Sequence, residues 1–154
     1  MFFKNIKQRK ELKKIKITKP MKKTMPDALF LIFNHNITSV QETDARNSLG
    51  VQRIVNMPSD IKELWQQIPP DLSEISSWLN PVKDWLAQNS IINDYVLIQG
   101  DFGACYIMVN FAFEIGLIPV YSTTERKAVE EHDDDGTIKL VHHFRHQKFR
   151  KYEV

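Results

Sequence analysis

The chain has 154 residues, enough for one ordinary domain, and 42% of them are hydrophobic, which suffices for a real core. A formal charge of +2 conceals an asymmetry: residues 1–24 hold ten Lys or Arg against one acidic residue, Glu11, a balance of +9, while residues 25–154 hold eleven basic and eighteen acidic residues, a balance of −7. A single cysteine, Cys105, excludes a disulfide scaffold and a cysteine-based zinc site, and suits a reducing cytoplasm.

The basic stretch 1–24 reads as a solvated arm or an upstream-start extension, because Met21 and Met25 stand just ahead of the first apolar run. Charge of this density attracts nucleic acid or membrane surfaces in general. Here its apolar residues are too sparse to span a membrane, and it lacks the apolar core and cleavage site of a secretory signal. Neither a membrane nor a stable DNA partner is expected.

The domain proper covers residues 25–154. Ala28 to Phe33 is a continuous apolar run, which suits a strand buried on both faces. It ends at Asn34-His35-Asn36, and Thr38 with Gln41 has the spacing of a capping box that opens a helix. That helix is expected to run to Leu49 and to close at Gly50. Val51 to Val55 follows as a second strand. Ser59 is placed to cap a short helix over residues 60–67, broken by Pro69-Pro70, and Leu72 to Asn89 reads as more helix, bent at Pro81. Trp65, Trp78 and Trp85 lie on these helices, where core or interface packing is the expectation rather than base stacking.

Tyr95 to Ile98 is a third strand. It stops at Gln99-Gly100-Asp101-Phe102-Gly103 and passes into a helix ending near Ile115. Tyr106, Asn110 and Glu114 form the polar stripe of that helix. Nearly everything else on it is apolar, so a dimer interface is expected to help cover it. Ile118 to Tyr121 is a fourth strand, ending in Ser122-Thr123-Thr124 with Arg126 close behind. Thr124 is expected to cap a last helix reaching His132. Asp133-Asp134-Asp135-Gly136 reads as a turn, and Ile138 to Phe144 with Gln147 to Tyr152 as terminal β-structure. The succession predicts an α/β fold: a Rossmann-like, mainly parallel sheet with flanking helices and C-terminal β-structure.

Parallel α/β sheets bind ligands outside the carboxyl ends of their strands, and the candidate residues fall there. Gly100 and Gly103 permit close approach of backbone to a phosphate, and the helix after them offers free N–H groups. Arg126 carries a planar fork for phosphate oxygens. His35 is a proton carrier near neutral pH, and Asp101 is suited to orient a hydroxyl or an imidazole. Each has a plainer reading beside this one: Gly-Asp-Phe-Gly as a turn with its N-cap, His35 as a loop histidine, Arg126 as a solvated charge, and Thr38 with Gln41 as a cap alone. His132, His142, His143 and His146 match no metal-ligand spacing and read as solvated surface. No metal or cofactor is expected.

Four segments in this order resemble one family: Asn34-His35-Asn36-Ile37-Thr38 with Gln41 and Asp44-Ala45; Val96 to Gly103; Pro119 to Arg126; and Phe149-Arg150-Lys151-Tyr152. Together they look like the small stand-alone CRISPR-associated ring nucleases of type III systems, over Pro26 to Glu153. The resemblance implies a Rossmann-like homodimer that binds a cyclic oligoadenylate, with cyclic tetra-adenylate the expected ring, and cuts it without metal. In that chemistry a ribose 2′-hydroxyl attacks its own phosphodiester and leaves 2′,3′-cyclic phosphate ends, which switches off antiviral signalling. On that basis His35, Asp101 and Arg126 are the catalytic candidates. Asn34, Thr38, Gln41, Gln99, Gly100, Phe102, Gly103, Thr123 and Thr124 are the ligand-binding candidates. A non-catalytic protein that sequesters the same messenger is the alternative, and a basic-tail RNA-binding or RNase domain a third.

Overall fold

Five strands form one sheet in the order β2-β1-β3-β4-β5 in the computed structural model, which describes residues 25–154. The expectations for residues 1–24 lie outside the described residues. The strands are β1 (Ala28–Phe33), β2 (Arg53–Asn56), β3 (Tyr95–Gln99), β4 (Ile118–His132) and β5 (Ile138–Lys151). The β2–β1, β1–β3 and β3–β4 pairs are parallel, and β4–β5 is antiparallel. The expected α/β architecture with a mostly parallel sheet is therefore present.

Strand β1 explains why the centre of the sheet reads as an unbroken apolar run. Ala28, Phe30 and Ile32 face one side and Leu29 and Leu31 the other, all buried, so both faces of the pleat need apolar residues. The first side is covered by α2 (Ser59–Gln66), α3 (Asn80–Asn89) and α4 (Phe102–Glu114), which bring Trp65, Leu79, Val82, Leu86 and Met108 onto the sheet. Each such side chain stabilises the fold by roughly 1.5–3 kcal/mol when fully buried. The second side is covered by α1 (Ser39–Asp44), which continues as a wider π-helical segment, Ala45–Leu49. Gly50 closes it in the left-handed region at φ 72°.

Several sequence expectations change. The helix expected over 72–89 is confined to Asn80–Asn89, because Pro81 sits in its first turn, where a missing N–H costs nothing. Trp78 thus lies in the turn before α3, where its indole N–H donates to the Leu64 carbonyl at 3.1 Å. Trp65 is buried, and Trp85 meets Phe30 edge-on at 5.7 Å, so the tryptophans do pack the core. The apolar helix α4 is covered largely by its own chain: Ala104, Met108 and Ala112 are fully buried and its Tyr106-Asn110-Glu114 stripe faces out. The helix expected after Thr124 is absent. Thr124 to His132 instead continues β4, paired with β5 down to His132–Ile138, and Gly136 at φ 83° closes the hairpin turn. Val129, Glu130, Lys127 and Arg126 find their backbone partners on β5, and cross-strand pairing overrides the helical pattern read from the charges. The outer part of this hairpin is a two-stranded arm exposed on both faces.

Candidate functional site at the strand ends

Strand β1 leads through α1 to β2 on one side of it, and β3 leads through α4 to β4 on the other. The carboxyl ends of β1 and β3 therefore mark the topological switch point, where such sheets carry their ligand crevice. A cavity of about 510 Å³ opens there. His35, Asn36, Thr38, Gln41, Gln99, Ser122, Thr124 and His146 supply polar groups, Arg145 also lines it, and none of its lining residues is acidic. A domain with a net charge of −7 thus keeps carboxylates off this wall.

The sequence-derived site residues divide into two groups. His35, Thr38, Gln41, Gln99 and Thr124 line the cavity together. His35 is exposed at the rim, its ring edge-on to Phe33 at 5.3 Å. Asn34, Gly100, Asp101, Phe102, Gly103, Thr123 and Arg126 are not part of its lining. The Asn34 carbonyl accepts from Gln66 Nε2 at 2.8 Å, and its Oδ1 is buried without a partner among the described residues. Asp101 caps α4, accepting from Ala104 N–H at 2.9 Å, which already places a carboxylate at that helix terminus. Gly100 abuts Trp65: a Cβ there would lie 2.9 Å from the indole nitrogen. Phe102 is almost wholly exposed. The Thr123 hydroxyl donates to the Lys148 carbonyl at 3.1 Å and accepts from the Lys148 N–H at 3.2 Å. Arg126 stands on the arm, over the ring of the lining residue Phe144 at 5.8 Å, two pairs beyond Thr124 on the same face.

The floor of the cavity holds a polar chain that the sequence did not reveal. His146 Nε2 lies 2.8 Å from Asp44 Oδ2, and His146 Nδ1 lies 2.5 Å from Ser122 Oγ. Far from being solvated surface, the His146 side chain is 4% exposed. A β-bulge accounts for the difference. Thr123 pairs with Lys148 but Thr124 with His146, so Gln147 is the extra residue. Were Gln147 paired with Thr124 instead, His146 would oppose Glu125 and point to the other face of the hairpin; with Gln147 bulged out, His146 shares the face of Ser122 and Thr124. The chain continues through Gln41, whose Nε2 donates to Ser122 Oγ at 3.3 Å while its Oε1 accepts the Thr38 N–H at 2.9 Å. The expected capping box is present, and it also aims the Gln41 amide into the site. Gln99 Oε1 accepts the Ser122 N–H at 2.8 Å.

Electrostatics favour an ionised Asp44. Burial pushes its carboxyl up, but hydrogen bonds from Ser48 and His146, the His146 charge and the Phe149 backbone outweigh burial and leave it below the usual carboxylate value. Burial pushes the Cys105 thiol up to about 11, which disfavours the thiolate at neutral pH. Among the described residues no three His, Cys, Asp or Glu side chains converge as a metal ion would require, and no helix is long and apolar enough to cross a membrane.

By similarity the chain belongs to the Uncharacterized protein MJ1673 family, which matches residues 27–150. It is 48% identical to Uncharacterized protein MJ1673 of Methanocaldococcus jannaschii over 124 residues, covering 80% of this chain and 95% of that protein. The family match takes in four strands whole, β5 up to its last residue, and the cavity residues from His35 to His146. No solved structure matches the chain.

Proposed function

We propose that the protein binds a cyclic oligoadenylate, cyclic tetra-adenylate in particular, and cleaves it as a metal-independent ring nuclease that terminates type III CRISPR signalling. The observation that carries this reading is the cavity at the β1/β3 switch point, where two imidazoles, hydroxyls and amides line a wall with no acidic residue among them. Such a wall accepts a phosphodiester and offers proton carriers to it. The nucleophile belongs to the substrate, so the protein's task reduces to alignment, proton transfer and neutralising the developing charge. Thr38, Gln41, Gln99 and Thr124 hold phosphate and ribose oxygens, His35 exchanges a proton, and Arg126 at the rim neutralises charge. A homodimer with its two crevices facing each other matches the symmetry of a four-fold nucleotide ring.

The test is incubation of the protein in EDTA with a several-fold excess of cyclic tetra-adenylate, products resolved by chromatography. Multiple turnovers to linear products with 2′,3′-cyclic phosphate ends are expected. Tight binding with the ring intact would replace the enzyme by sequestration of the messenger. The commitment of Asp101 to capping α4 and the position of Arg126 outside the cavity favour that second reading. Neither binding nor cleavage would remove both.

A further inference from the structure

We infer that Ser122, His146 and Asp44 form a proton relay that serves as the general base of the crevice. The inference rests on the ring-nuclease reading and assigns its missing base. Three observations carry it. The Asp44 carboxylate can only accept, so it fixes the proton of His146 on Nε2, across 2.8 Å. Nδ1 of the neutral ring then presents its lone pair to Ser122 Oγ at 2.5 Å. Ser122, 7% exposed, and His146, with a side chain 4% exposed, both line the cavity, so the relay lies in its wall.

The remaining bonds leave Ser122 no other course. Its Oγ accepts from Gln41 Nε2 and its N–H is taken by Gln99, so its hydroxyl proton goes to His146. One lone-pair direction of Oγ stays open to the cavity. Asp44 is held in place by a second donor, the Ser48 hydroxyl, on its other oxygen. The other ionisable groups of the cavity wall are His35 and Arg145.

In the reaction, the ribose 2′-hydroxyl gives its proton to Ser122 Oγ as the Ser122 proton passes to His146 Nδ1. The new imidazolium is held by the Asp44 carboxylate. The 2′-oxygen forms its bond to phosphorus and the bond from phosphorus to the 5′-oxygen breaks. That leaving oxygen takes a proton from His35 at the exposed rim. Solvent then removes the proton from His146 and returns one to His35. Ser122 is the group that touches the nucleotide; His146 and Asp44 are positioning residues that act through it.

The full chain is tested with Ser122→Ala and Asp44→Asn, following cyclic tetra-adenylate turnover against pH, and with ¹⁵N spectra of the histidine rings. General-base assistance is worth about 10²–10⁴-fold. Each variant is therefore expected to lose at least about 100-fold in kcat with little change in KM. Asp44→Asn should also move the acid limb of the kcat profile to lower pH, since the imidazole loses its carboxylate. A purely structural fastening would leave that limb in place. Turnover by both variants within threefold of the wild type, with unmoved profiles, would overturn the relay and leave the ring-nuclease reading standing. No turnover by the wild type would overturn that reading instead, and the spectra then decide the relay. An Nε2–H tautomer of His146 that is lost in Asp44→Asn sustains it; an imidazole sampling both tautomers in the wild type sinks it.

Discussion

Gly100→Ala separates two reasons for a glycine at the β3–α4 turn. If Gly100 exists for close approach of a phosphate, alanine should weaken ligand binding and spare the fold. The structure gives a different reason. The added methyl carbon would sit 2.9 Å from Trp65 Nε1 and 3.0 Å from its Cε2 and Cζ2. Unstrained contacts need about 3.5–4.0 Å, so the indole must retreat by at least roughly 0.5 Å. Trp65 is 2% exposed, and its N–H donates to the Gln99 carbonyl at 3.2 Å, so retreat disturbs both the core and a hydrogen bond. Overpacking costs about 1–3 kcal/mol and the weakened bond about 1 kcal/mol more. Urea unfolding followed by circular dichroism should therefore show a loss of about 2–4 kcal/mol. Trp65→Phe removes the atoms in conflict, so the double variant should be more stable than the sum of the single changes predicts, by at least about 1 kcal/mol. A Gly100→Ala protein within about 0.5 kcal/mol of wild type but impaired in cyclic tetra-adenylate binding would refute the packing argument.

Three further outcomes test the framework of the site. Asp94 is fully buried at the opposite end of the sheet and accepts from the N–H groups of Asp27, Ala28 and Ile91. Asp94→Ala strands at least the buried Ala28 donor and should cost about 2–4 kcal/mol in urea unfolding without changing ligand affinity at the far crevice. Deletion of Gln147 removes the bulge yet leaves His146 opposite Thr124, on the face of Ser122, so its protection from diethyl pyrocarbonate should persist; a roughly tenfold rise in modification would contradict the register argument. Asp44 titrates below its ordinary 3.8 in the folded protein, so its stabilisation is fully present above about pH 3.8 and is lost as pH falls through the native value. Between pH 6 and pH 3 the wild type should lose more unfolding free energy than Asp44→Asn, and equal losses would show that the carboxylate is not favoured by the fold.

Local signals in the chain reported local facts well. The run Ala28 to Phe33 is apolar throughout because a central strand is covered on both faces, so its burial was visible without any partner in view. The Thr38/Gln41 capping box and the Gly50 closure involve residues within a few positions of each other, and both appear as read. The convergence of His35, Thr38, Gln41, Gln99 and Thr124 also followed from one general property, that parallel strands end at the same edge.

What the chain did not disclose depends on distances in sequence too long for any local pattern. His146 meets Ser122 across 24 positions and Asp44 across 102, and only the antiparallel return of β5 brings them together. The bulge at Gln147 then decides which face His146 takes, by a single residue of register that leaves no mark in composition. The stretch after Thr124 is ambiguous for the same reason: its charges suit an exposed helix as well as an exposed strand, and pairing with β5 settles the matter. The sequence by itself thus determined the α/β fold and the edge of the sheet where the crevice lies, because burial and strand direction are imposed segment by segment. Only the tertiary structure decided which side chains face one another there, because strand register is a relation between segments and belongs to neither alone.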